Sequence, residues 1–177
     1  PETKVDRFAA CYGRNARKEL VLVDAPATST FLRPPRLLDG GGGLVGSTAD
    51  YVRFCTMLAN GGELDGERVL SRKTLELMTC NHLAGDAEMT DLALPMGYGE
   101  VGFAGNGFGL TVAVSRGPGA SGVVGSPGEF MWGGAASTAF WVDPVERLAV
   151  VFMTQLLPSG TFNFRGQLKT LVYGALI

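Results

Sequence analysis

Apolar and polar positions alternate most clearly towards the end of the chain. Residues 129–132, 137–142 and 147–154 read as three strands. Asp143-Pro144-Val145-Glu146 joins the last two, with proline at the second position of a type I turn. Residues 161–176 then switch to helical spacing, with Phe164, Leu168, Leu171, Val172 and Ala175 on the apolar side. An antiparallel meander must bury one face, and this final helix is its expected cover. Further back, Ser47 precedes Asp50 by three residues, a capping box with aspartate in place of the usual glutamate. Tyr51, Phe54, Cys55 and Leu58 follow at helical spacing until Gly61-Gly62 ends the helix. A second, short helix starts at Ser71 and carries Leu75, Leu77 and Met78. Residues 20–23 are strand-like, as are residues 109–115, where Leu110, Val112 and Val114 alternate with smaller neighbours. The pattern predicts an α+β fold, an antiparallel sheet covered by helices.

Composition narrows the class. The 177 residues suit one domain with a real core, and no repeat or interdomain linker divides them. With 46% hydrophobic and 18% charged residues and a net charge of −2, the chain reads as globular, neither disordered nor a nucleic-acid binder. The basic cluster Arg14, Arg17 and Lys18 runs straight into Glu19 and reads as a solvated surface. No apolar run reaches the ~18–20 residues of a membrane span, and the N-terminus has no signal-peptide pattern. Pro1 fits either a start from which methionine has been removed or a cut in a longer chain. The 26 glycines imply many tight turns and close backbone approaches. Cys11, Cys55 and Cys80 are far apart and odd in number, and read as free core thiols. They favour a reducing, cytoplasmic compartment. With one histidine and no paired cysteines, no metal site is expected, and no cofactor.

Few motifs carry chemistry. Gly97-Tyr98-Gly99-Glu100-Val101-Gly102 matches GxGxxG, but no hydrophobic strand precedes it, so it reads as a structural turn. His82 is the sole candidate for a histidine base, yet no GxSxG elbow accompanies it. Its place beyond a helix end suits a capping bond. Ser71 and Lys73 are two apart, which turns them to different faces of a helix, and Ser71 reads as an N-cap. The sharpest segment is Trp132-Gly133-Gly134-Ala135 on a strand. Paired glycines there fit a ligand lying close against the strand edge, or equally a β-bulge without a ligand.

At this point the chain resembles a known family. Gly41-Gly42-Gly43-Leu44-Val45, Ser47-Thr48-Ala49-Asp50-Tyr51 and Asn60-Gly61-Gly62-Glu63-Leu64-Asp65-Gly66 look like the serine β-lactamase-like group of class C β-lactamases, DD-peptidases and family VIII carboxylesterases. So do Leu77-Met78-Thr79, Asn81-His82-Leu83 and Val151-Phe152-Met153-Thr154-Gln155. The resemblance covers nearly the whole chain in the family's order. It implies the C-terminal portion of a β-lactamase/transpeptidase-like fold, with residues 1–177 a single, incomplete domain.

In that family a Ser-x-x-Lys helix supplies the nucleophile and its base, and a Tyr-x-Asn-like element assists proton transfer. Ser-x-x-Lys occurs nowhere in this sequence, and Tyr12 and Asn15 have the wrong spacing for the second element. The chain is therefore expected to begin after those elements. The third element, the Lys-Thr-Gly strand, maps onto Trp132, Gly133 and Gly134, and Ala135 would give its backbone N–H to the oxyanion hole. Tryptophan cannot replace the cation that lysine sets beside a substrate carboxylate. The resemblance thus implies an esterase-like serine hydrolase or transacylase acting on a small acyl ester or amide, inactive as this chain alone. A truncated, non-catalytic binding or partner module is the alternative. An uncovered sheet face or groove would further imply a homo-oligomer or an adhering N-terminal half.

Overall fold

The computed structural model describes residues 2–39, 41–93 and 104–177, so the Gly97–Gly102 motif lies outside the described residues. After an initial 3-10 turn, β1 (Cys11–Arg14) and β2 (Leu20–Asp24) form a hairpin. Asn15 closes its turn, the side-chain oxygen accepting from the amides of Arg17 and Glu19.

Helix α1 (Thr48–Ala59) starts as its sequence predicts. The Ser47 hydroxyl accepts from the Asp50 amide at 3.1 Å, and the Asp50 carboxylate accepts from the Ser47 amide at 3.3 Å. The Ser47 hydroxyl donating to the Asp50 carboxylate at 2.7 Å, with the Ser47 amide beside it, holds the Asp50 carboxyl below its ordinary pKa. Strands β3 (Glu63–Leu64) and β4 (Glu67–Arg68) follow as a minimal hairpin. Its two-residue turn, Asp65-Gly66, has φ of 53° and 83°, the signs a type I′ turn requires. Helix α2 (Arg72–Met78) is N-capped by Ser71, whose oxygen accepts from the Thr74 amide at 2.9 Å.

The main sheet is a five-stranded antiparallel meander. Its strands are β5 (Asn106–Phe108), β6 (Ala113–Ser115), β7 (Phe130–Gly133), β8 (Ala139–Asp143) and β9 (Leu148–Phe152), in that spatial order. A short helix, α3 (Pro118–Ser121), lies between β6 and β7. The predicted strand over residues 109–115 is shorter than its alternation suggests. Gly109 N–H donates to the Val112 carbonyl and closes a tight turn, leaving Leu110 exposed and only Ala113–Ser115 in the ladder. The Asp143 turn holds: its Oδ1 accepts from the amides of Val145 and Glu146. The two-residue β10 (Leu156–Leu157) leaves the meander and pairs parallel to β1, giving a second sheet of order β10-β1-β2. The chain continues into α4 (Phe164–Tyr173).

Helix α1, not the final helix, supplies the apolar cover. Cys55, Met57 and Leu58 of α1 and Leu75 of α2 form one buried cluster with Val114, Phe130, Phe140 and Val142. Tyr51 adds a ring 5.4 Å from that of Phe140. Helix α4 sits on the opposite face, where Phe164, Leu168 and Val172 are half-buried as the sequence pattern predicts but polar side chains share the side turned to the sheet. Leu171 is 71% exposed and Ala175 lies beyond the helix, whereas Arg165, Lys169 and Tyr173, at helical spacing, turn towards the sheet. They meet polar partners there. Lys169 pairs with the fully buried Glu129, and the Tyr173 hydroxyl contacts Glu129 Oε2 at 2.5 Å and Asp143 Oδ2 at 2.6 Å. Phe164 keeps an apolar contact, 5.6 Å from the ring of Phe152.

Burial alone would raise the Asp143 carboxyl. Hydrogen bonds from Tyr173, Ser126 and the Glu146 and Val145 amides outweigh it and hold the group below its ordinary value. Tyr173 is pushed far up, first by burial and then by the two carboxylates beside it. Of the three free cysteines only Cys55 is a core thiol, pushed up to about 11 by burial. Cys11 is half-buried and Cys80 exposed. Among the described residues no helix is long and apolar enough to cross a membrane.

Candidate active-site strand

Strand β7 carries Trp132 and Gly133 of the sequence-predicted site residues, whereas Gly134 and Ala135, expected on the same strand, lie in the turn beyond its end. Its ladder with β6 ends at Ala113↔Met131, while its ladder with β8 runs on through Trp132↔Phe140 to Gly133↔Ala139. The last turn of β7 therefore borders β8 but extends past the end of β6. Trp132 is half-buried. It packs against the α1-side core and meets Phe108 edge-to-face at 5.3 Å, a rigid apolar wall rather than a mobile arm.

Beyond Gly133, residues 134–138 form a tight turn into β8. Gly134 N–H donates to the Thr138 carbonyl at 3.1 Å, and Ser137 N–H donates back to the Gly134 carbonyl at 2.9 Å. Ser137, buried and at φ 67°, donates its hydroxyl to the Leu156 carbonyl at 2.7 Å. Leu156 N–H in turn donates to the Ala136 carbonyl at 3.0 Å, which bolts the turn to β10. Ala135 stands exposed at the tip, and among the described residues its amide has no protein acceptor.

The paired glycines answer to the protein's own side chains. A Cβ on Gly133 would lie 1.9 Å from Arg165 Nη2, and one on Gly134 would lie 2.4 Å from Thr138 Oγ1. Periodicity could not have found this, because Arg165 lies 32 residues further along the chain. Its position opposite this close backbone approach is visible only in three dimensions.

The remaining candidates are structural. His82 Nε2 bonds the Leu77 carbonyl at 2.8 Å, so the ring ties down the end of α2 as its place in the sequence suggests. Asn81, named in the sequence only as part of the Asn81-His82-Leu83 run, joins this segment to the sheet. Its oxygen accepts from the amides of Phe108 and Leu83, and its nitrogen donates to Asp86 and to the Ala87 carbonyl. A cavity of about 140 Å³ lies on the α4 face, lined by Asn106, Ser115, Met131, Gly133, Trp141 and Lys169 among others. Asn106 Oδ1 and Trp141 Nε1 are buried there with no partner among the described residues. Also among the described residues, no three metal-ligating side chains cluster.

The meander with helices on both faces is a β-lactamase/transpeptidase-type fold, and comparison with solved structures agrees. A LovD6 mutant of simvastatin synthase from Aspergillus terreus superposes with a TM-score of 0.78 at 21% identity, over 97% of this chain and 43% of that one. EstCE1, a hydrolase with promiscuous acyltransferase activity, gives 0.75 at 22% identity over 97% and 45%. A penicillin-binding protein homologue from Caulobacter crescentus gives 0.58 at 15% identity over 99% and 47%. Residues 1–173 match the family model described as Beta-lactamase, and the chain belongs to that family. Protein Rv1367c of Mycobacterium tuberculosis is 34% identical over 128 residues, 71% of this chain and 31% of that protein. The chain thus spans less than half the length of these relatives.

Proposed function

We propose that this chain is the sheet-bearing part of a serine hydrolase or acyltransferase that works through an acyl-enzyme. The observation that carries the reading is the Ala135 amide, unpartnered among the described residues at the tip of a turn that is tied to β8 and β10. A fixed N–H of this kind can stabilise the oxyanion of a tetrahedral intermediate. Gly133 and Gly134 let Arg165 and Thr138 close in behind the turn, and Trp132 forms one wall. The nucleophile and its base would come from a Ser-x-x-Lys element, which this sequence does not contain. With an indole where the family's lysine would stand, an uncharged acyl ester is the favoured substrate over one needing a cation for its carboxylate.

The same reading makes residues 1–177 an incomplete domain. The cavity between α4 and the sheet, with two polar groups in its lining that have no partner among the described residues, supports that reading as a space this chain does not fill by itself. Exposed Leu20, Leu22, Val23, Leu37, Leu38 and Leu44 add apolar surface that favours association with a second copy or a completing polypeptide. Light scattering should accordingly give a mass above 18.6 kDa for the isolated chain, and a clean monomer at high concentration would count against it.

The direct test is a fluorophosphonate probe followed by intact mass measurement. Without the nucleophile the chain should remain unmodified and show negligible ester turnover. A stoichiometric adduct on a serine of this chain would overturn the proposal.

A further inference from the structure

Arg165 occupies an unusual place for a surface-helix arginine. It projects from the first turn of α4 towards the strand end, where its Nη2 donates to the Thr138 carbonyl at 2.9 Å and to Ser159 Oγ at 3.3 Å. The guanidinium also fills the volume that any side chain at position 133 would need, with Nη2, Cζ and Nε at 1.9, 2.3 and 2.9 Å from an ideal Cβ there. The Thr138 carbonyl is the same group that accepts from Gly134 N–H. One oxygen therefore joins the two ends of the 134–138 turn to each other and to α4. Ser137 and Leu156 tie the turn to β10 on its other side.

Two fixed anchors determine the direction of the amide between them. We propose that Arg165 is a positioning residue: by holding the Thr138 carbonyl and seating Gly133, it orients the Ala135 N–H for oxyanion stabilisation. The inference rests on the acyl-transfer reading above, but its geometric content stands on its own. A charged donor makes the stronger kind of hydrogen bond, and its planar fork can hold the carbonyl while lying where a Cβ would be. Lysine can reproduce the charge but not the planar seat.

The first test uses this chain, by amide hydrogen exchange and chemical shifts in NMR. In Arg165→Met, the Gly134 and Ser137 amides should exchange roughly tenfold faster or more, with shift changes confined to residues 133–138. Amides of α1 and β8 should keep their protection, and Arg165→Lys should fall between. Gly133→Ala should give the same local signature, and should add little in the Arg165→Met background, because the two changes remove one contact. Unchanged amides at 134–138, or a uniform loss of protection throughout the chain, would overturn the proposal.

A second test uses a polypeptide in which the Ser-x-x-Lys element accompanies this chain. There Arg165→Met should lower kcat for a short-chain ester roughly a hundredfold while KM stays nearly constant, since misplacing a transition-state donor by about 1 Å costs that much. An active polypeptide whose kcat ignores Arg165→Met would sink the positioning role alone. A wild-type polypeptide that neither turns over nor acylates would sink the acyl-transfer reading, while the exchange result still decides whether Arg165 sets the turn.

Discussion

Replacing Lys169 with methionine is expected to destabilise the fold by about 3–5 kcal/mol, the usual cost of breaking a buried ion pair from one side. Glu129 is fully buried and its carboxylate pairs with Lys169 on one oxygen and meets the Tyr173 hydroxyl on the other. Without the ammonium, a buried negative charge would face Asp143 with only a phenol between them. Chemical denaturation of wild type and Lys169→Met reads the difference directly. The double variant Glu129→Leu/Lys169→Met should recover most of the loss, because an apolar pair removes both desolvation costs and leaves Tyr173 its bond to Asp143. If the single variant costs less than about 1 kcal/mol, the pair is hydrated and α4 is held by something else.

The same cluster fixes the pH range of stability. Asp143 titrates below its ordinary value in the fold, so its contribution is present above about pH 4 and is lost as pH falls through the folded value. Tyr173 is raised, so its contribution is present below about pH 10 and is lost as pH rises above that, at up to ~1.4 kcal/mol per pH unit. Cys55, raised to about 11, adds a similar loss that begins near the ordinary thiol value. Denaturation as a function of pH should therefore show an alkaline decline that Tyr173→Phe makes shallower above about pH 10.

This cluster also marks where the sequence stopped being legible. Elements whose signals are local were readable: the Ser47/Asp50 box, the Ser71 cap and the turn after Asp143 all depend on residues within three or four positions. The three strands of the meander were readable for the same reason. The face of α4 was not. Its apolar residues marked only part of the side it turns to the sheet, because the carboxylates that receive Lys169 and Tyr173 lie 40 and 30 residues away, just before β7 and at the end of β8. Strand β5 was missed because Asn106-Gly107-Phe108 looks like a loop; it pairs with β6 on one side, while on the other the Asn81 oxygen accepts from the Phe108 amide, the His82 amide donates to the Phe108 carbonyl, and Gly107 leaves room for the Asn81 side chain. At the candidate site the segment from Trp132 to Ala135 was readable as a strand end with paired glycines, and Trp132 and Gly133 do end a strand. The reason for its glycines was not, since it resides in Arg165 and Thr138.

The second large effect is expected at Phe140, where the two halves of the α1-side core meet. The ring is 7% exposed and packs 5.4 Å from Tyr51 of α1, while its backbone pairs with Trp132 on one side and Val151 on the other. Truncation to alanine removes most of the contact between the middle strand and α1, and neighbours fixed in two ladders can collapse only partly into the space. Phe140→Ala should therefore cost about 3–5 kcal/mol, which for a chain of this size lowers Tm by roughly 10 °C. Leu171→Ala is the informative contrast. The sequence pattern assigns Leu171 to the covering face of the last helix, yet the fold leaves it 71% exposed, so its removal should change stability by no more than about 0.5 kcal/mol. Equal losses from the two substitutions would mean that α4 packs by its apolar side after all, and that the polar seat of Lys169, Tyr173 and Arg165 against the sheet is wrong. A large loss at Phe140 with none at Leu171 would place the apolar core on the α1 face and leave α4 free to hold the strand end by polar contacts.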